Sequence, residues 1–238
     1  MKVLITGATS GIGFELTNCF AKAHKVIACG RNRTQLQLLE RDSKNITGLE
    51  FDINDKHEVA KIGEMLPNLD LIIFNAGTCE YINDVSQFDG ALFERVINTN
   101  LISVGYCLQH WLKHVNKGGQ IAFVSSSATI QPFPRAEAYG ASKAGLSYLA
   151  NSIRMDLKPM GIDVCLIEPG FVETPLTDKN EFSMPFIVSS QSAALEIYDG
   201  LFKRKDVIRF PFQLITLLKL FNFLPKKWWL KLMQKGQS

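Results

Sequence analysis

Tyr139 and Lys143 stand four residues apart in a stretch with helical character, so their side chains share one helical face. A free phenol titrates near ~10, and an ammonium beside it favours the phenolate, which makes the pair a proton donor or acceptor near neutrality. Such a pair arises by chance in many helices. Its force here comes from Ser125-Ser126-Ser127, which close a preceding apolar run and offer a hydroxyl that can meet the phenol. A second chemistry lies at the start of the chain, where Thr6-Gly7-Ala8-Thr9-Ser10-Gly11-Ile12-Gly13 follows an apolar run and opens a helical stretch. Glycines there permit a tight turn and let a pyrophosphate approach the backbone amides of a helix N-terminus. The next apolar run ends in Ala28-Cys29-Gly30-Arg31-Asn32-Arg33. An NAD-binding unit places an acid there for the ribose hydroxyls. Arg31 takes that place, and a guanidinium suits a 2′-phosphate, which points to NADP(H).

The elements that would position these groups follow from short apolar runs alternating with longer helical stretches. Residues 2–5, 26–29, 48–51, 69–74, 120–125 and 162–167 read as strands. Residues 13–23, 34–41, 55–66, 98–115 and 137–157 read as helices, with Lys117-Gly118-Gly119 ending the one over 98–115. This βαβ series predicts an α/β fold: a doubly wound parallel sheet covered by helices on both faces. A length of 238 residues, 46% hydrophobic and 21% charged, fits one such domain.

In its motifs the chain resembles the short-chain dehydrogenase/reductase family, in its compact single-domain branch with a Rossmann-like core. Residues 6–13 match the family's TGxxxGxG, and Asn75-Ala76-Gly77 match its NAG. Asn100, Ser126, Tyr139 and Lys143 match its catalytic tetrad, Ser126 being chosen over its neighbours by the family's spacing of serine and tyrosine. Pro169-Gly170-Phe171-Val172-Glu173-Thr174 match its PGxxxT. The resemblance implies an NADP(H)-dependent oxidoreductase that moves a hydride between cofactor and a small-molecule carbonyl or alcohol. Tyr139 would be the general acid, Lys143 would lower its pKa and hold the nicotinamide ribose, Ser126 would bind the substrate oxygen, and Asn100 would support a proton relay. It further implies cofactor contacts at Gly7, Thr9, Ser10, Gly11, Ile12, Gly13, Arg31, Asp52, Ile53, Asn75, Ala76, Gly77, Tyr139, Lys143, Pro169, Gly170, Val172 and Thr174. Asp52 would meet adenine, and Thr174 the nicotinamide carboxamide. A homodimer or homotetramer through the helices over 98–115 and 137–157 is also implied. The alternative is a non-catalytic nucleotide-binding or membrane-docked sensor that kept the fold.

A net charge of +3 is too small to suggest nucleic-acid binding. Five scattered cysteines without a CxxC indicate neither a disulfide framework nor a zinc knuckle, and His110 and His114 lack a third ligand, so no metal is expected. The apolar run after Met1-Lys2 is too short for a secretory signal, which gives a cytoplasmic expectation. Phe182, Met184 and Phe186 either pack a loop onto the core or form an apolar lid over an apolar substrate.

The boundary falls near residue 210, between a dinucleotide-binding catalytic domain over 1–210 and a basic amphipathic helical extension of it over 211–238. Residues 206–211 suit a last edge strand. From Lys203 onward nine basic residues face one acid, Asp206. Residues 212–224 are largely apolar, and Pro225 starts a second segment over 226–235. There Lys227, Lys231 and Lys235 fall on one helical face, with Trp228, Trp229, Leu232 and Met233 on the other. Two expectations stand side by side: the tail folds back over the substrate cleft or a subunit, or it also touches an anionic membrane surface.

Overall fold

Val, Ile and Leu fill the short runs, as strands buried on both faces require. The computed structural model describes residues 1–180 and 182–235. The runs form β1 (Lys2–Thr6), β2 (Lys25–Gly30), β3 (Ile46–Glu50), β4 (Leu69–Phe74), β5 (Val115–Val124) and β6 (Asp163–Pro169). Two short strands, β7 (Val172–Glu173) and β8 (Val188–Ser189), pair with each other, and β9 (Val207–Phe210) closes the main sheet. That sheet has seven parallel strands in the order β3-β2-β1-β4-β5-β6-β9. Strand order reverses between β1 and β4, the crevice where such sheets bind ligands at their carboxyl ends.

The helices are α1 (Gly11–Ala21), α2 (Arg33–Asp42), α3 (Lys56–Met65), α4 (Gly90–Ile97), α5 (Ser103–Trp111), α6 (Glu137–Leu157), α7 (Ser190–Phe202), α8 (Phe212–Asn222) and α9 (Lys226–Lys235). Alternation along β1 divides the core. Val3 and Ile5 join Leu16 and Phe20 of α1, Leu36 and Leu39 of α2, and Ile197 and Leu201 of α7 on one face. Leu4 joins Val59 of α3, Trp111 of α5 and Leu146 and Ala150 of α6 on the other. The Trp111 indole satisfies its N–H by donating to the Val59 carbonyl at 2.9 Å. The molecule is therefore a single α/β Rossmann-like domain with C-terminal helices, as the pattern predicts.

Three stretches differ from the sequence reading. The helix expected over 98–115 begins earlier as α4, widens into a π-turn over Asn98–Ile102, and resumes as α5. Asp89, whose carboxylate accepts from the Leu92 amide at 2.9 Å, starts it. The expected stop at Lys117-Gly118-Gly119 lies inside β5, where pairing with β4 shifts register between Leu69 and Leu71. Gly118, at φ +81, supplies the bulge, since positive φ serves a strand irregularity as well as a helix end. Helix α7 was not expected; Ser189 caps it by accepting from the Ser192 amide at 3.1 Å.

The anticipated edge strand is β9. Its Arg209 lies in register with Glu168 of β6, and their side chains form an ion pair over a buried carboxylate. Thr129 donates to the same carboxylate at 3.0 Å. Beyond β9 the chain folds back onto the domain, although none of its described residues lines the cleft at the ends of β4, β5 and β6. Leu214 and Leu218 of α8 and Trp229 of α9 pack with Ile130, Phe133 and Phe171. The Trp229 indole donates to the Pro132 carbonyl, and Gln131 to the Asn222 side chain, both at 2.6 Å. Trp228 and Leu232, on the same expected face as Trp229, stay exposed. The Lys235 side chain and residues 236–238 lie outside the described residues. Among the described residues no helix is long and apolar enough to cross a membrane.

Candidate active site

The turn after β1 is built from backbone. A Cβ on Gly13 would stand 2.1 Å from the Gly7 carbonyl oxygen, so no side chain fits there. Gly7 itself sits at φ +64, where a side chain is strained. Thr6 anchors this turn to the next loop: its hydroxyl accepts from the Asn75 and Ala76 amides, each at 3.0 Å. The Asn75 side chain returns bonds to the carbonyls of Thr6 at 3.0 Å and Gly7 at 3.1 Å. Ser10 precedes α1 without a side-chain cap, and the first turn of α1 carries no acid. The helix N-terminus thus presents amides and a positive dipole end to an anion.

A cleft of about 440 Å³ runs from this turn to the ends of β4, β5 and β6. Of the expected site residues, Gly7, Thr9, Ser10, Gly11, Ile12, Arg31, Asp52, Ile53, Asn75, Ala76, Gly77, Ser126, Tyr139, Lys143, Pro169, Gly170, Val172 and Thr174 all line it. Gly13 lies beneath the turn rather than on the wall, and Asn100 is wholly buried behind Gly77. At the far end Arg31 stands 3.6 Å from the Asp52 carboxylate, both exposed.

At the near end Ser125 is spent on structure, its hydroxyl donating to the Lys143 carbonyl at 3.1 Å and sharing a 2.7 Å bond with Ser147. That leaves Ser126, whose oxygen accepts from the Ala128 amide at 3.1 Å and which lines the cleft with Tyr139. Lys143, on the next turn of α6, donates to the Val124 carbonyl at 2.8 Å, with its nitrogen 5.8 Å from the Tyr139 ring centroid. Asn100 is fixed in the π-turn: its oxygen accepts from the Thr78 amide at 2.8 Å, and its nitrogen donates to the Thr78 carbonyl and the Ser142 hydroxyl, each at 2.9 Å.

Electrostatics here depart from the simple pairing expected of Tyr139 and Lys143. Burial raises the Tyr139 pKa above the ordinary phenol value, Cys79 adds to the rise, and the Ser126 hydroxyl opposes it. Burial also pulls Lys143 down to about 8, with Cys79 opposing. Loss of water therefore outweighs the mutual effect of phenol and ammonium, and each group is pressed toward its neutral form. Tyr81 and Cys79 adjoin this centre and went unremarked in the sequence. The Tyr81 ring stands edge-on to Phe182 at 5.8 Å, and Phe182 packs at 6.1 Å on Phe171, so the three rings form an aromatic wall. Only the NAG motif just before Cys79 could have signalled them.

The residues present fit an extended dinucleotide, with the uncapped glycine turn at one part of the cleft and a tyrosine, a serine and a lysine at another. Among the described residues no three His, Cys, Asp or Glu side chains come together to hold a metal.

Comparison with known proteins gives the same family as the motifs. The model of the short chain dehydrogenase family matches residues 1–183. An uncharacterized oxidoreductase of Myxococcus xanthus is 32% identical over 234 residues, covering 93% of this chain and 92% of its own. A 3beta-hydroxysteroid dehydrogenase of Mediterraneibacter gnavus is 33% identical over 188 residues, covering 75% of this chain and 68% of its own. A short chain dehydrogenase from Burkholderia cenocepacia, solved in complex with NADP, shares the fold at a TM-score of 0.85 and 19% identity, covering 98% of this chain and 96% of that one.

Proposed function

The chain belongs to the short-chain dehydrogenase/reductase family of oxidoreductases, and from that premise we propose that it transfers a hydride between NADP(H) and a carbonyl/alcohol pair on an apolar substrate. The observation that carries the reading is the convergence of Ser126, Tyr139 and Lys143 at one end of the cleft that begins at the uncapped N-terminus of α1. When bound, the cofactor supplies or accepts the hydride.

In reduction Tyr139 gives its proton to the carbonyl oxygen, and its raised pKa keeps that proton available at neutral pH. Ser126 donates a hydrogen bond to the same oxygen. Lys143 favours the negative charge left on the phenol oxygen and holds the nicotinamide ribose. Asn100, buried behind Gly77, supports a water-mediated proton relay to Lys143. The amides of residues 7–13 take the pyrophosphate. Asp52 and Ile53 take the adenine, Asn75, Ala76 and Gly77 line the ribose, and Pro169, Gly170, Val172 and Thr174 hold the nicotinamide.

Arg31 supports NADP(H) over NAD(H), standing where an acid would serve the 2′-hydroxyl, and the Burkholderia relative was solved with NADP. Tyr81, Phe171 and Phe182 support an apolar substrate. Ile102 before α5 and Tyr148 and Met155 on α6 are exposed, which supports a homo-oligomer formed through these helices.

The test is oxidation of NADPH followed with a panel of ketones and aldehydes. Tyr139→Phe lowers turnover by roughly 10²–10⁴-fold while NADPH binding stays nearly unchanged, because the ring keeps its packing and loses its proton. Retention of most of the activity removes Tyr139 from the acid role.

A further inference from the structure

We propose that the α8–α9 hairpin is a docking surface for an anionic lipid bilayer. Helix α8 buries Leu214, Ile215 and Leu218. Its opposite face, which an ordinary surface helix fills with polar residues, carries Phe212 at 78% exposure and Leu220 at 58%, and Phe223 follows at 87%. In α9 the two adjacent indoles divide: Trp229 is 5% exposed, Trp228 60%. An exposed indole beside exposed leucines is the composition of a helix lying in a membrane interface.

Charge selects the occupant. Lys219, Lys226, Lys227 and Lys231 stand among these apolar side chains, and from residue 207 onward the sequence contains no Asp or Glu. A two-fold contact between copies would lay these lysines against one another, since such an interface joins a patch to itself. An anionic headgroup layer neutralises them, while the aromatic and leucine side chains enter the acyl boundary. Both helices are far shorter than a bilayer span, so the contact is interfacial.

Docking also gives direction to the cleft. The inner face of the hairpin packs on Phe171, which packs on Phe182 at the aromatic wall. A docked molecule therefore holds that wall close to the lipid, and the substrate class is a carbonyl or alcohol on a membrane-resident amphiphile. This substrate statement rests on the hydride-transfer reading above; the docking statement does not.

The experiment is cosedimentation of the full chain with phosphatidylcholine vesicles, with and without about 30% phosphatidylglycerol. Binding is expected to the anionic vesicles at low salt, with a blue shift of emission that Trp228→Phe removes. Lys227→Glu with Lys231→Glu lowers binding at least about tenfold, as does raised salt. Leu220→Ser with Phe223→Ser abolishes the emission shift. All these positions are exposed, and unchanged reduction of a water-soluble carbonyl shows that the variants are folded. Failure to sediment with anionic vesicles overturns the proposal. So does binding that the substitutions leave intact, or a change in the mass of the lipid-free protein when Leu220 and Phe223 are replaced, which would make the face a contact between copies. Vesicle binding by a protein that reduces no carbonyl refutes the hydride-transfer reading alone.

Discussion

The turn after β1 and the hairpin α8–α9 are built in opposite ways. The turn is backbone fitted to backbone: Gly13 has no room for a methyl group, and Thr6 and Asn75 tie four main-chain groups across two loops. The hairpin is side chain fitted to side chain, held by a small apolar cluster and the bonds from Trp229 and Gln131. Where backbone touches backbone few residue types are admissible, so the sequence displays the constraint. Where side chains interlock many combinations serve, and the pattern states only that something apolar is covered.

The largest test of this contrast is Gly13→Val, which forces the turn apart. NADPH binding, measured by fluorescence titration, is expected to be lost, and a variant that binds normally would remove the turn from cofactor recognition. In the hairpin, Trp229→Ala is expected to cost about 3–5 kcal/mol in urea unfolding, as for a buried aromatic. A loss near zero would mean that the hairpin is not part of the cooperative core. Arg31→Asp deletes a side-chain contact at the cleft's far end. It should reverse the preference for NADPH over NADH, at about 1.5–3 kcal/mol for a charge-assisted bond, and equal use of both cofactors by the unaltered protein would refute the role of Arg31.

The smallest effect is in pH. Lys143 titrates at about 8 in the fold and at an ordinary 10.5 when exposed. Carbonyl reduction that needs the ammonium therefore declines as pH rises through about 8, by about tenfold for each further unit. Between those two values the unfolded chain binds the extra proton, so this group's contribution to stability rises with pH. A kcat/KM profile flat from pH 7 to ~10 would show that the charge on Lys143 is not used.

Legibility followed the same division. The strands of the sheet, the glycine turn and the Tyr139–Lys143 face were readable because each rests on a period or a forbidden Cβ. The π-turn at Asn98–Ile102 was not, since it carries no composition of its own and exists where Asn100 is pinned between Thr78 and Ser142. Gly118 misled because positive φ ends a helix as readily as it bulges a strand. The paired indoles misled for a geometric reason: neighbours on a helix are about 100° apart, and the narrow contact at Pro132 takes one of them. The neutral bias of Tyr139 and Lys143 was hidden too, because burial is a property of the assembled site.

The ion pair between Glu168 and Arg209 joins β6 to β9, which follows every other strand of the sheet in chain order. A chain ending before residue 207 would keep a carboxylate in the interior with no guanidinium to meet it, beside an open strand edge. Open edges recruit other chains, and interior charges without partners loosen the fold around them. Cleavage or premature termination between β6 and β9 therefore produces a sticky, unstable fragment, so the integrity of the sheet depends on a residue 41 positions beyond the carboxylate it meets.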